Sequence, residues 1–163
     1  MMIRVLVVDD HSLVREALTD LLSASGGIAV VGQCADGSEV AAAVAQMRPD
    51  VLLLDLQMPK VDGLTAARAV RAAHPEVRIV FLTGGLTRAS AREAQGIGAA
   101  GYLLKEDDPA ELPVRIRCVA AGRTAWHPRA AAVLDDTEGA TDTPFLSPPH
   151  YVEACPPRLR QPQ

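Results

Sequence analysis

Three carboxylates follow apolar runs that have the character of buried strands. Asp55 comes directly after the run Val51–Leu54, and the pair Asp9 and Asp10 comes directly after the run Ile3–Val8. Continuous Val, Ile and Leu runs are typical of parallel strands covered on both faces, and open α/β sheets bind ligands beyond the carboxyl ends of such strands. Two carboxylates about 4 Å apart repel by roughly 4 kcal/mol at an effective dielectric near 20. If the two strands are neighbours, the cluster therefore needs a compensating cation or proton, and a hard divalent ion is the natural answer.

Two further polar residues end predicted strands at the same edge. Thr83 closes the run Val77–Thr83, and Lys105 follows the run Ala100–Leu104. Either residue alone is commonplace at the end of a strand. Together with the carboxylates, a hydroxyl and an ammonium at one sheet edge make a set that can carry out phosphoryl transfer.

Strand and helix patterns alternate through residues 1–123. The predicted strands are Ile3–Val8, Ile28–Cys34, Val51–Leu54, Val77–Thr83 and Ala100–Leu104, each followed by a helical pattern. This alternation predicts an α/β fold, a doubly wound five-stranded parallel sheet with right-handed crossovers. In the flavodoxin-like order 2-1-3-4-5, the first and third strands are neighbours, which brings Asp9, Asp10 and Asp55 together.

Two helix starts carry specific expectations. We expect Ser12 to be the N-cap of the first helix and Leu13 to belong to its inward-facing stripe. Pro109 is a good first residue for the fifth helix, but Pro113 would then remove a backbone donor inside that helix. The sequence leaves the start of the fifth helix open.

Composition restricts the classes of function. The chain has 163 residues, of which 48% are hydrophobic and 3% aromatic, so its core must be aliphatic. The net charge of −4 provides no overall field for nucleic acid or an anionic membrane. No apolar run of about 18 residues and no export signal is present, so we expect a cytoplasmic protein without a membrane span.

The polar residues at the strand ends stand in longer motifs: Val7-Val8-Asp9-Asp10-His11, Leu54-Asp55, Met58-Pro59, Gly63, Leu82-Thr83 and Gly101-Tyr102-Leu103-Leu104-Lys105. Over residues 1 to about 123, this set resembles the receiver domain of two-component response regulators, which has a CheY-like fold. The segments Asp9–Arg15 and Gly98–Lys105 further resemble the NarL/FixJ (LuxR-type) subfamily, whose members usually carry a helix-turn-helix after the receiver.

The resemblance implies the chemistry of the acidic residues. It makes Asp55 the phosphoacceptor, which takes a phosphoryl group from a sensor histidine kinase or a small phosphodonor. It makes Asp9 and Asp10 the acid pair that binds Mg²⁺ together with Asp55 and the backbone carbonyl of Gln57. Such an oxygen-only ligand set suits Mg²⁺.

The resemblance also implies a switch. Lys105 would neutralise phosphoryl oxygens, and Thr83 would hydrogen-bond to the phosphoryl group once it forms. Tyr102 matches the aromatic residue that turns inward at that moment. In the family, this change reshapes the face made by the fourth helix, the fifth strand and the fifth helix, and a phosphorylation-dependent homodimer is a possible result.

The C-terminal part, residues 124–163, differs in composition from the rest. It holds seven of the twelve prolines, and three arginines against five acidic residues. A helix-turn-helix needs three proline-free amphipathic windows and a basic surface, and neither is present. We therefore predict a receiver domain over residues 1–123 and a linker with an irregular, disordered Pro-rich tail over residues 124–163, and direct DNA binding by this chain is not expected.

The preferred function is a phosphorylatable signalling receiver that switches a protein-interaction surface and is not an enzyme beyond self-phosphorylation and slow autodephosphorylation. The alternative is a DNA-binding transcriptional regulator of the NarL/FixJ type with a degenerate or truncated output domain. A hydrolase of the haloacid dehalogenase type is a weaker option, because Asp55 is followed by Leu56 and Gln57 where that family has a second aspartate.

Overall fold

The computed structural model describes residues 1–135, in which six strands and six α-helices alternate. The strands are β1 Ile3–Val8, β2 Ile28–Cys34, β3 Val51–Leu54, β4 Arg78–Thr83, β5 Gly101–Leu104 and β6 Ala125–Trp126. The helices are α1 Ser12–Ala24, α2 Val40–Met47, α3 Gly63–Ala73, α4 Arg88–Ile97, α5 Leu112–Ala120 and α6 Pro128–Asp135. Short 3₁₀ turns at Gly37–Glu39 and Pro109–Glu111 precede α2 and α5.

The strands form one parallel sheet in the order β2-β1-β3-β4-β5-β6. The predicted doubly wound sheet and its order are confirmed for the first five strands. The expected number of five strands is wrong, because β6 adds a sixth strand beside β5. A strand of two residues shows no periodicity, so the sequence pattern gave no sign of it.

Helices cover both faces of the sheet over two apolar clusters. One cluster joins alternate residues of β1, β3 and β4 to α2, α3 and α4, and the other joins the remaining strand residues to α1 and α5. β3 is buried along its whole length, so both of its faces pack against helices. This burial explains the continuous apolar run Val51–Leu54 and fixes the position of the carboxylate that follows it.

The structure corrects one expected helix start and defines the one that the sequence left open. His11, not Ser12, is the N-cap of α1, and its side chain makes no capping hydrogen bond. Leu13 is 79% exposed, so it does not belong to the inward-facing stripe of α1. Pro109 begins the 3₁₀ turn, whereas Pro113 lies in the first turn of α5, where a missing N–H leaves no hydrogen bond unmade.

Three arginines hold the ends of helices at the amino edge of the sheet, opposite the acidic residues. The Arg71 guanidinium donates to the carbonyls of Ile97 (3.1 Å) and Gly98 (3.0 Å) at the end of α4. Arg4 does the same at the end of α2, and Arg117 at the end of α1. Carbonyls left without partners at helix ends thereby gain charged donors.

The β6–α6 segment, residues 125–135, packs on the sheet edge and on α4 rather than projecting away. Ala130 in α6 is fully buried. Most of the predicted Pro-rich tail lies outside the described residues. Within residues 1–135, no helix has both the length and the apolar character that crossing a bilayer requires.

Candidate functional site: a carboxylate cluster with a lysine

The two carboxylates that the sequence placed at neighbouring strand ends lie side by side. β1 and β3 are paired with Val8 opposite Leu54, and the Asp55 N–H donates to the Val8 carbonyl at 3.0 Å. Asp9 and Asp55 are both buried. The parallel register of two neighbouring strands therefore holds both carboxyl groups at one edge.

Lys105 reaches this pair from the end of β5. Its Nζ lies 2.6 Å from Asp9 Oδ2 and 3.1 Å from Asp55 Oδ2, and it donates a hydrogen bond to each. The Lys105 backbone N–H donates to the Thr83 carbonyl at 2.8 Å, which ties the lysine to the end of β4. Lys105 thus forms one charged group with Asp9 and Asp55, which lie 96 and 50 positions earlier in the chain.

Burial and charge act in opposite directions at this site. Burial raises the pKa of the Asp55 carboxyl above its usual value, Lys105 opposes that rise, and the charge of Asp9 adds to it. Burial alone would lower the pKa of Lys105, but its hydrogen bonds to Asp9 and Asp55 outweigh burial and raise it. Lys105 therefore stays protonated, whereas ionised Asp55 is held in an unfavourable environment.

Asp10 completes a group of three carboxylates that fits a hard cation, and the exposed imidazole of His11 lies beside it. One ligand atom from each of Asp9, Asp10, His11 and Asp55 lies within 4.8 Å of the others. Asp10 Oδ1 is buried and accepts no hydrogen bond from the described residues. His11 Nδ1 lies 3.1 Å from that atom without forming a hydrogen bond. A buried carboxylate oxygen without a donor is the kind of atom that a metal ion satisfies.

The loop after β3 is held against Asp55 by its backbone. The Gln57 N–H donates to Asp55 Oδ1 at 3.3 Å, so Gln57 lies directly beside the acceptor carboxylate. A Cβ at Gly63 would lie 2.1 Å from the Asp55 carbonyl oxygen, so the start of α3 can approach only as glycine. The Asp62 side chain caps α3 by accepting from the Thr65 N–H at 2.8 Å.

Thr83 and Tyr102 form a separate hydrogen-bonded group beside the cluster. The Thr83 hydroxyl donates to the Gly85 carbonyl at 3.3 Å and accepts from the Gly85 N–H at 3.3 Å. The Tyr102 hydroxyl donates to the same carbonyl at 3.3 Å and contacts Ser90 Oγ at 2.8 Å. Among the described residues, neither hydroxyl is bonded to a carboxylate of the cluster. Gly85 therefore links the two predicted switch residues.

The sequence interpretation missed several residues of this site. Ser90, the third residue of α4, belongs to a capping box with Thr87 and also contacts Tyr102. The pair Thr87 and Ser90, at capping-box spacing, was the available signal. Arg15 donates from α1 to the Asp9 carbonyl at 2.7 Å, and no pattern indicated that bond.

A cavity of about 600 Å³ opens beside Asp10 and the loop after β3. Gln57, Met58 and Pro59 line one side, and Gly85 and Thr87 line the other. The cavity gives a molecule outside the protein a route to the carboxylate edge.

The parallel sheet and the carboxylate edge with its lysine define a class of α/β domain built around an acidic pocket, and comparison with known proteins identifies the family. The family model of the response regulator receiver domain matches residues 5–117. The chain is 40% identical over 133 residues to response regulator GacA of Pseudomonas viridiflava, covering 82% of this chain and 62% of that protein. It is 37% identical to the DNA-binding transcriptional activator DevR/DosR of Mycobacterium tuberculosis, covering 82% and 61%.

A solved structure agrees with the sequence comparisons. A two-component response regulator of the LuxR family from Aurantimonas sp. SI85-9A1 superposes with a TM-score of 0.78 at 36% identity, covering 82% of this chain and 96% of that one. This chain therefore belongs to the receiver domains of two-component response regulators, with the NarL/FixJ (LuxR-type) receivers as its relatives. It spans less than two thirds of the length of the curated relatives given above.

Proposed function

We propose that this protein is a response regulator whose receiver domain, residues 1–123, accepts a phosphoryl group on Asp55 from a sensor histidine kinase. The observation that carries the proposal is the buried Asp55 carboxylate, hydrogen-bonded to Lys105 and adjacent to Asp9 at the end of neighbouring strands. An Asp55 oxygen attacks phosphorus, the bond from phosphorus to the donor nitrogen breaks, and an aspartyl phosphate forms.

Lys105 has two roles in this proposal. Before transfer, it offsets the charges of Asp9 and Asp55, which keeps Asp55 ionised and nucleophilic despite burial. After transfer, one N–H group of Lys105 can donate to a phosphoryl oxygen, because the phosphorylated Asp55 carboxyl no longer carries a negative charge. An ammonium acts there as a compact point charge.

The carboxylates of Asp9, Asp10 and Asp55, with the backbone carbonyl of Gln57, would hold a magnesium ion. The fit rests on the three carboxylates, which offer oxygen atoms within 4.8 Å of one another, and on the buried Asp10 oxygen that has no hydrogen-bond donor among the described residues. Bound Mg²⁺ would offset the negative charge of these carboxylates and of the incoming phosphoryl group.

The Thr83 hydroxyl would leave Gly85 and donate to the phosphoryl group, and Tyr102 would respond through the same carbonyl. The expected outputs are a changed protein-interaction surface and, as a further proposal, a homodimer that forms on phosphorylation. We place this activity in the cytoplasm, and we propose no catalytic turnover beyond self-phosphorylation and slow autodephosphorylation.

Intact-mass spectrometry after incubation with acetyl phosphate and Mg²⁺ tests the proposal. We expect one added phosphoryl group in the wild-type protein, and none in Asp55→Asn or in a sample with EDTA. Asp62→Asn is the matched control, because Asp62 is an exposed carboxylate that caps α3 and asparagine caps equally well. A folded wild-type protein that gains no mass would contradict the proposal.

A second candidate is a DNA-binding transcriptional regulator, favoured by the relative named as a DNA-binding transcriptional activator. The acidic character of residues 124–163 opposes it. A gel shift with random duplex DNA at low salt separates the two, because a basic output surface retards the DNA whereas a receiver alone does not.

A further inference from the structure

The β6–α6 segment occupies a surface that the first five strands leave open. Without it, β5 would be the edge strand of the sheet. The Ala125 N–H donates to the Ala100 carbonyl and the His127 N–H to the Tyr102 carbonyl, both at 2.8 Å. A Cβ at Gly101 would lie 2.7 Å from the Ala125 carbonyl oxygen, so glycine allows this close pairing. The segment is thus built into the sheet directly beside Tyr102.

Trp126 contacts the side chain of Tyr102 directly. Its ring stacks on the Tyr102 ring with centroids 5.9 Å apart and an interplanar angle of 17°. Ala130 in α6 is fully buried, and Val133 and Leu134 pack against the cluster that includes α4. Tyr102 is itself fully buried, with Trp126 stacked on one face of its ring.

Ionic contacts join the same segment to the loop after Lys105. Arg129 Nη1 lies 2.7 Å from Glu106 Oε1, and His127 Nε2 lies 3.2 Å from Asp107 Oδ1. The Arg129 and Glu106 side chains are mostly exposed, so their ion pair is weak. These contacts place the segment near both Lys105 and Tyr102, and the exposed ion pair adds little to its docking.

A continuous series of contacts runs from the acceptor edge to this segment. The Gly85 carbonyl accepts from both Thr83 and Tyr102, and Tyr102 stacks on Trp126. If the Thr83 hydroxyl turns to a phosphoryl oxygen, Gly85 loses one of its two donors and the loop before α4 is freed to shift. If the Gly85 carbonyl shifts, the Tyr102 hydroxyl shifts with it, and the position of the Tyr102 ring against the Trp126 ring changes.

The segment is also weak enough to respond. α6 has eight residues, and helices of that length do not persist in water without packing. β6 contributes only two residues to the ladder. Both elements therefore depend on their docking contacts, so a change at the docking surface affects both.

We propose that the β6–α6 segment is an intramolecular clamp on the switch, docked while Asp55 is unmodified and released when Asp55 is phosphorylated, so that the α4–β5 face becomes available. This inference rests on the proposed function, because phosphorylation of Asp55 supplies the signal. It assigns the output of the receiver to residues 125–135 of the same chain.

Trp126 is the only tryptophan of the chain, so its fluorescence reports the clamp in the full-length protein. Acrylamide quenching is measured before and after incubation with acetyl phosphate and Mg²⁺, with intact mass recorded on the same samples. We expect quenching to increase on phosphorylation, because release of the segment exposes the Trp126 ring to acrylamide. A typical allosteric coupling shifts such an equilibrium by roughly 5- to 150-fold. Tyr102→Phe keeps the ring but removes the hydroxyl that bonds to the Gly85 carbonyl, and it should accept the phosphoryl group without the change in quenching.

Two variants of α6 calibrate the measurement. Ala130→Asp puts a charge at a fully buried position and should give the high quenching of the released state without phosphorylation. Ala132→Asp makes the same change at an exposed position of the same helix and should behave like the wild type. If Ala130→Asp quenches no more than Ala132→Asp, Trp126 is not covered by a docked α6 and the inference is wrong.

The mass measurement separates two kinds of failure. A phosphoryl group on Asp55 with unchanged Trp126 quenching overturns the clamp and leaves the proposed function standing. Absence of the phosphoryl group in the folded wild-type protein overturns the proposed function and the clamp with it. Increased quenching in the phosphorylated wild type, but not in phosphorylated Tyr102→Phe, supports both the clamp and its route through the Tyr102 hydroxyl.

Discussion

The carboxyl edge and the amino edge of the sheet both carry charged side chains, but these side chains have different partners. At the amino edge, Arg71 and Arg117 donate to carbonyls at the ends of neighbouring helices. At the carboxyl edge, two buried carboxylates share one lysine. Each arginine thus meets partial negative charges that the fold leaves unpaired, whereas the carboxyl edge gathers more negative charge than its single lysine neutralises.

The difference separates stability from function within one small domain. Charges that serve the fold are partly exposed and satisfied by backbone groups, so ligands have little effect on them. Charges that serve the proposed chemistry are buried and incompletely balanced, so a cation or a phosphoryl group changes their energy strongly. Substitutions at the two edges should therefore differ in their response to Mg²⁺ more than in their effect on stability.

Lys105→Ala should have the largest effect. It leaves Asp9 and Asp55 facing each other without their counter-cation, and we expect a loss of about 2 kcal/mol in the free energy of unfolding with EDTA present. Mg²⁺ should recover part of that loss, because it replaces the missing charge. Urea unfolding with EDTA and with Mg²⁺ measures both quantities. The control is Lys60→Ala, at an exposed lysine in the loop after β3; an equal Mg²⁺ response in the two variants would remove the contrast between the edges.

Arg71→Ala should destabilise the protein without affecting phosphorylation. The guanidinium donates to three backbone carbonyls, those of Ile97, Gly98 and Pro75. Loss of these partly exposed bonds should lower the free energy of unfolding by about 1.5 kcal/mol, equally with EDTA and with Mg²⁺. Arg92→Ala, at an exposed position of α4, should change it little. A Mg²⁺-dependent deficit in Arg71→Ala would show that the two edges are coupled.

Asp55→Asn should stabilise the protein at neutral pH by about 1 kcal/mol while abolishing phosphorylation. Burial raises the folded-state pKa of Asp55 above 3.8, so its contribution to stability is fully present below pH 3.8. That contribution is lost as the pH rises through the folded-state pKa. The advantage of asparagine should therefore grow across the same window and then level off, as thermal unfolding from pH 4 to pH 7 can test. If Asp55→Asn is less stable than the wild type at pH 7, the attraction between Lys105 and ionised Asp55 outweighs the cost of burying that charge.

Arg48→Gly should give the smallest effect, a gain of about 0.5 kcal/mol. Arg48 ends α2 with φ of 46°, the left-handed region that glycine adopts without strain. Gly98 ends α4 with φ of 82°, so Gly98→Ala provides the opposite substitution and should destabilise the protein. Both differences are measurable by urea unfolding. A loss of stability in Arg48→Gly would show that the side chain of Arg48, and not its backbone, matters at the amino edge.

The sequence predicted the sheet well because buried parallel strands leave strong signals. The bounds of Ile3–Val8, Ile28–Cys34 and Val51–Leu54 are confirmed, and the fourth and fifth strands each begin one residue later than predicted. The exposure of Leu13 could not be predicted, because periodicity shows that a helix has an apolar face but not what covers it. β6 was missed because two residues show no alternation, and its pairing depends on the small size of Gly101 in another strand.

The carboxylate cluster was predictable for the same reason, since strand order determines which strand ends meet. The link from Thr83 through Gly85 to Tyr102 was not, because it depends on a backbone carbonyl that carries no signal in residue types. The roles assigned to the cluster residues remain predictions until phosphorylation is measured.

The short strand β6 also has a consequence for the behaviour of the protein at high concentration. β5 is buried along its length and apolar apart from the tyrosine hydroxyl, and β6 covers its outer edge. An uncovered apolar edge strand offers unpaired N–H and C=O groups to other chains and is a common starting point for aggregation. The two residues of β6 therefore protect part of the β5 edge from pairing with other chains. Any event that detaches them exposes that edge and favours aggregation.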